Sequence, residues 1–179
     1  MSRYTRSSAR LRTCLLSVVA AFGAACGGEG DPTNALGNLC LSIRGSGETV
    51  GDRNRLMGNG MFTIGNEQLP AEVGLYLFEM SPAANGGMDV ETEYQFNWDN
   101  GDSFLSQDEV FFEPTLIADR YTFNVRMTII SGTGRFKGLA GQQPIALSAI
   151  IEFGPPANPG DPRSAREEFT VGGSVCVAP

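Results

Sequence analysis

Little in this chain is built to do chemistry by itself. Among its 179 residues there is no histidine, which excludes a Ser-His-Asp triad and a histidine-ligated metal site. The spacings that invite catalysis are carboxylate pairs. Glu91 and Glu93 stand two apart, as paired acid and base groups would, but they share a face with Gln95 and Asn97, the pattern of a solvated strand face. Asp99 and Asp102 resemble cation ligands, yet they flank Asn100-Gly101 and fall short of a calcium-loop spacing, so turn chemistry accounts for them. Arg126 could hold a carboxylate, but its neighbours on that face are Thr122, Asn124 and Thr128, which makes it a surface residue. Gly132-Thr133-Gly134 precedes no helical periodicity and is not a phosphate cradle. No catalytic residue is assignable.

The elements that would position a site read as strands. Val90, Thr92, Tyr94, Phe96 and Trp98 alternate with Glu91, Glu93, Gln95 and Asn97, a strict period of two. Asp99-Asn100-Gly101-Asp102 predicts a type I′ turn, with Ser103–Phe112 as the returning strand. Arg120–Ile130 is expected as the longest strand, with Tyr121, Phe123, Val125, Met127 and Ile129 on its inner face. Val73–Met80 is apolar on both faces, Tyr76, Phe78 and Met80 on one and Leu75 and Leu77 on the other, which predicts burial of both. Leu39–Ile43, Gly60–Ile64, Ile145–Phe153 and Glu167–Val177 complete the series, while the glycine-rich residues 44–59 read as a loop or irregular edge. With 23 glycines, 10 prolines and no amphipathic helical run, the fold class is all-β, a closed or nearly closed antiparallel barrel of about eight strands, whose interior is just wide enough for side chains or one small ligand.

Residues 1–25 are set apart as a signal peptide: Arg3, Arg6, Arg10 and Arg12 precede a short apolar core, and Gly23-Ala24-Ala25 supplies small residues before Cys26. Its removal takes four of the 13 basic residues and none of the 20 acidic ones, leaving 9 against 20, a net charge of −11. That charge opposes nucleic acid and anionic lipid headgroups as partners. Gly23-Ala24-Ala25-Cys26 resembles the lipobox of bacterial lipoproteins, with Gly23 where leucine is usual. The resemblance implies lipidation at Cys26, with residues 26–38 as a flexible tether; cleavage that leaves a free thiol is the alternative. The protein is then exported, either lipid-anchored in the cell envelope, its membrane contact confined to that anchor, or secreted. Cys40 and Cys176 lie in the first and last strands of the folded part, residues 39–179. Those strands become neighbours in a closed barrel, so a disulfide is expected to lock the seam.

Ser131-Gly132-Thr133-Gly134-Arg135-Phe136-Lys137-Gly138-Leu139-Ala140-Gly141 reads as a strand turning a sharp corner. The stretch resembles the G-x-G-R-F-x-G-A-x-G signature of the allene oxide cyclase and dirigent-protein barrels, and the likeness extends weakly to Asn100-Gly101-Asp102-Ser103-Phe104. It implies an eight-stranded barrel with an apolar cavity, no cofactor, and in some members dimers or trimers formed through the outer wall. The apolar Leu75, Leu77, Ile130 and Ile150 are compatible with such a contact, as they are with a covering loop.

Three functions follow as expectations. The first is a barrel binding a small apolar or aromatic molecule among Tyr76, Phe78, Tyr94, Phe96, Trp98, Tyr121, Phe123 and Met127. The second is a cofactor-independent cyclase or isomerase with the same lining plus an unidentified polar residue, orientation supplying the rate. The third is a packed envelope interaction domain.

Overall fold

A computed structural model of the protein describes residues 39–83, 85–156 and 158–177; the expected signal peptide, tether and Cys26 fall outside them. The described elements are β1 (Leu39–Asp52), β2 (Arg55–Ile64), β3 (Glu67–Pro82), β4 (Met88–Trp98), β5 (Ser103–Pro114), β6 (Arg120–Met127), β7 (Ile129–Thr133), a 3-10 turn (Gly134–Phe136), β8 (Ile145–Pro156) and β9 (Arg163–Val177). The strands are antiparallel in the order β4-β3-β2-β1-β9-β8-β6-β5, and the β4–β5 ladder brings the series back on itself. Eight strands therefore form a ring, the nearly closed barrel that the alternating patterns predict, and β7 is added beside β5. No helix among the described residues is long and apolar enough to cross a membrane.

β1 and β9 meet along fourteen registered pairs, with Cys40 opposite Cys176. The two are joined by a disulfide across a sequence separation of 136, where the chain-entropy model gives roughly 4–5 kcal/mol.

Three expectations change. Residues 44–59 are not a loop: they supply most of β1 and β2, paired from Ile43↔Ile64 to Gly51↔Leu56. Gly45 and Gly47 are on the inner face because a side chain there would run into the rings of Phe62 and Phe169. The glycines thin the wall so that those large rings can fill the interior.

The expected strand 120–130 breaks at Thr128. The Thr128 N–H donates to the Asp108 carboxylate at 2.7 Å, and the Thr128 carbonyl accepts from Gln107 N–H at 3.2 Å. The chain leaves the β8 ladder after Met127 and joins β5 as β7. β3, at 16 residues, is the longest strand instead.

The β4–β5 turn is a three-residue loop rather than type I′. Gly101 N–H bonds to the Trp98 carbonyl and Trp98 N–H to the Asp102 carbonyl, and of the two central residues expected at positive φ only Gly101 is there, at 88°. That is a type I turn followed by a left-handed glycine.

The two ends of the barrel differ. Where β4 ends and β5 begins, the segment after β7 folds across the ring and places Phe136 and Leu139 in the core. Phe136 stacks on Trp98 with centroids 5.0 Å apart and packs on Phe104 at 5.0 Å. The glycine-rich stretch is thus a plug as much as a corner. At the opposite end Met80, Met88 and Tyr121 are only partly buried, and Leu116 and Ile117 in the β5–β6 loop are exposed.

Candidate functional site

Between the ends lies a belt of buried polar side chains: Thr49, Thr92, Tyr94, Ser106, Asp108 and Glu167. Each arises from period-two alternation in a strand whose other inward positions are apolar. In β9 the inner series is Ala165, Glu167, Phe169, Val171; in β5 it is Phe104, Ser106, Asp108, Val110, Phe112; in β4 it is Val90, Thr92, Tyr94, Phe96, Trp98.

Glu167 is the centre of the belt. Its Oε2 accepts a hydrogen bond from the Thr49 hydroxyl at 2.8 Å, the residue registered opposite it on β1. Its Oε1 accepts from the Tyr94 hydroxyl. β4 and β9 stand four strands apart either way around the ring, so the tyrosine spans the barrel as a strut. Burial raises the Glu167 carboxyl, against the two hydroxyl donors, from 4.5 to about 7. Burial and then the Glu167 charge push the Tyr94 phenol well above 10. A carboxyl that exchanges its proton near neutral pH, beside a phenol that stays neutral, is a competent general acid and base pair.

Asp108 is the second buried carboxyl. Burial raises its pKa, opposed by the Thr128 N–H, then by the Thr128 hydroxyl and least by the Ser106 hydroxyl. Its Oδ1 holds Thr128, whereas its Oδ2 has no hydrogen-bond partner, nor does the nearby Ser106 Oγ.

The residues expected to line a cavity divide. Tyr94, Phe96, Trp98, Phe123 and Met127 point inward and are buried, and Tyr121 is at the rim of the unplugged end. Tyr76 and Phe78 do not line the interior. The inner face of β3 is Val73, Leu75 and Leu77; Tyr76 lies outside beneath the Arg55 guanidinium, 5.6 Å from its ring centroid, and Phe78 is 54% exposed. Both faces of that strand are apolar, so alternation alone does not say which is inside, and the branched residues fit the confined interior. Leu75 and Leu77 being core also removes them from any outer-wall contact, while Ile130 is exposed.

The inward rings pack on one another. Phe96 and Phe104 stack at 4.6 Å, as do Phe112 and Phe123. A groove of about 770 Å³ lies instead on the outer wall of β1, β9, β8 and β6, lined among others by Ser46, Glu48, Ser148, Ile150, Glu168 and Thr170.

Of the polar candidates read from sequence, Glu91 is on the outer face, bonded to Gln107 at 2.5 Å, and Arg126 is exposed. Asp102 has a tertiary role that turn chemistry does not reveal. Its carboxylate accepts from the Arg135 N–H at 3.0 Å, from Arg135 Nε at 2.5 Å and from Asn100 at 3.0 Å. Arg135 also reaches Glu67 at 2.9 Å, fastening the plug to β3. Gly134, at φ 54°, is pressed against the same carboxylate and leaves no room for a side chain.

Sequence reasoning missed Glu167, Thr49, Ser106 and Asp108. The available signal was an acid in an apolar register, two residues before Phe169 in one strand and two before Val110 in the other. Neither the protein-family models nor the curated proteins compared with this chain match it.

Proposed function

We propose that this is an exported barrel, tethered to the envelope through Cys26, that takes a small, largely apolar molecule into its interior from the end opposite the plug. The belt of Glu167, Tyr94, Thr49, Ser106 and Asp108 meets the polar group of that molecule. The observation that carries the reading is the fully buried Glu167 held by hydroxyls from two other strands. Burying a carboxyl in an aromatic core costs several kcal/mol even when it is hydrogen-bonded, and an apolar residue would pack the same slot more stably. Each carboxylate oxygen has a further lone pair to offer. The aromatic rings around the belt supply apolar contact, and Met80 and Met88 at the unplugged rim are the most adaptable side chains for admitting a ligand.

A thermal-shift titration with naphthalene and biphenyl probes tests this. Saturable stabilisation is expected; no saturable response from any probe overturns the reading in favour of a packed interaction domain.

A second reading is favoured by the Glu167 carboxyl at about 7: a cofactor-independent cyclase or isomerase, in line with the allene oxide cyclase resemblance of residues 131–141. Glu167 would pass a proton to or from a bound carbonyl compound while Tyr94 turns its hydroxyl from Glu167 to the substrate oxygen, and the walls would hold the reactive shape. The enolisable ketone 2-tetralone in deuterated water is a suitable probe. Wild type should accelerate exchange of its α-protons over Glu167→Gln by roughly 100-fold or more; equal rates defeat catalysis by this group.

A further inference from the structure

We propose that the interior selects an uncharged ligand carrying a hydrogen-bond donor, an alcohol rather than a carboxylate, and that Asp108 receives that donor while the Ser106 hydroxyl donates back to the ligand's oxygen. The proposal rests on the ligand-binding reading above and narrows its chemistry.

Asp108 Oδ2 and Ser106 Oγ are both buried without a partner, in residues 8% and 0% exposed. Native structures rarely leave such atoms orphaned, because each keeps the full cost of having been taken out of water. The two lie two residues apart on the inner face of β5, and they sit at the level of the belt: Ser106 is registered opposite Tyr94, and Asp108 opposite Thr92. A third orphan, Trp98 Nε1, belongs to the aromatic cluster at the plugged end and is separate from this pair.

The place is also distinctive in the wall. β5 pairs with β7 from Ser103 to Ser106 and with β6 only at Glu113 and Pro114. Asp108 falls between those ladders and has spent one oxygen on Thr128. The other oxygen makes no hydrogen bond of ordinary length, the Ser106 hydroxyl being near enough to lower the carboxyl but not placed to bond it.

Charge decides the ligand class. Apart from Asp102 at the plug, the buried polar side chains of the interior among the described residues are Thr49, Thr92, Tyr94, Ser106, Asp108 and Glu167. Two of the interior groups are carboxyls and none is Arg or Lys. An anionic ligand would meet like charge in a low-dielectric space with no cation to offset its desolvation. A neutral donor such as a hydroxyl satisfies Asp108 Oδ2 and can return an acceptor to the Ser106 hydroxyl.

Calorimetry with three matched probes separates the possibilities: 2-naphthalenemethanol, 2-naphthoate and 2-methylnaphthalene. The alcohol should bind roughly ten- to hundredfold tighter than either of the others. Asp108→Asn turns an acceptor toward the ligand into a donor, so it should remove that preference and improve binding of naphthoate. Ser106→Ala, a milder change in case the asparagine variant fails to fold, should weaken the alcohol alone. If the hydrocarbon binds as well as the alcohol, or naphthoate binds best, the donor assignment is overturned while interior binding stands. If the alcohol keeps its advantage in both variants, a different residue receives it and the assignment fails. If none of the three binds, the ligand-binding reading falls with it.

Discussion

Asp102 at the plug and Glu167 in the belt are both carboxyls removed from solvent, and both accept hydrogen bonds on each oxygen, yet they end in opposite protonation regimes. Burial raises both. At Asp102 the backbone and guanidinium of Arg135, with Asn100, outweigh that and bring the carboxyl below 3.8. At Glu167 the donors are two neutral hydroxyls, and burial wins, to about 7. The difference is a cation. A carboxylate clamped by Arg135 is fixed in charge and serves to hold a loop across the barrel; one held by a tyrosine and a threonine keeps a proton it can exchange.

The contrast can be broken first at the plug. Phe136 is fully buried against Trp98 and Phe104, so Phe136→Ala should cost about 3–5 kcal/mol in urea denaturation. The loss should be the same at pH 5 and pH 8, because the plug's buried carboxyl, Asp102, is lowered and stays charged across that window; a loss that changes there would couple the plug to the belt.

The next effect belongs to Glu167. Its pKa is raised on folding, so its contribution is complete below 4.5 and is lost as pH rises through about 7. Glu167→Gln should flatten that decline. Above pH 7 the variant should be more stable than the parent by on the order of 3 kcal/mol. Parallel curves for variant and parent would show that the carboxyl is already ionised well below neutrality.

Asp102 should behave in the reverse sense and more weakly. Its depressed pKa contributes stability above 3.8 that is lost as pH falls. Asp102→Asn should lose roughly 1–2 kcal/mol at pH 7, since the partly exposed Arg135 screens the pair, and the deficit should close in acid. A deficit that persists at pH 3 would mean that the asparagine disturbs the turn rather than the ion pair.

Much of the fold was legible because a strand half buried in a barrel leaves a period of two in its residues. Val90 to Trp98 displays it without ambiguity, and the cysteines at the two seam strands point to their own pairing. Legibility failed where a face carries no contrast. Tyr76 and Phe78 compete with Leu75 and Leu77 on equal hydrophobic terms, and only ring closure chose between them. Glycine misled in the other direction: Gly45 and Gly47 read as loop residues, when their missing side chains are what allows Phe62 and Phe169 to pack inside.

By itself, then, the sequence determined an all-β chain, the phase of those strands with one polar and one apolar face, its seam and the absence of histidine chemistry, because these depend on residue types and on neighbours one or two positions away. The tertiary structure alone decided that Tyr94 would cross the barrel to Glu167, that Asp108 would intercept the Thr128 N–H and split a strand, and that Arg135 would close on Asp102. Each of those contacts joins residues from 20 to 73 positions apart, and their energies depend on how deeply the ring buries them, which no local pattern encodes.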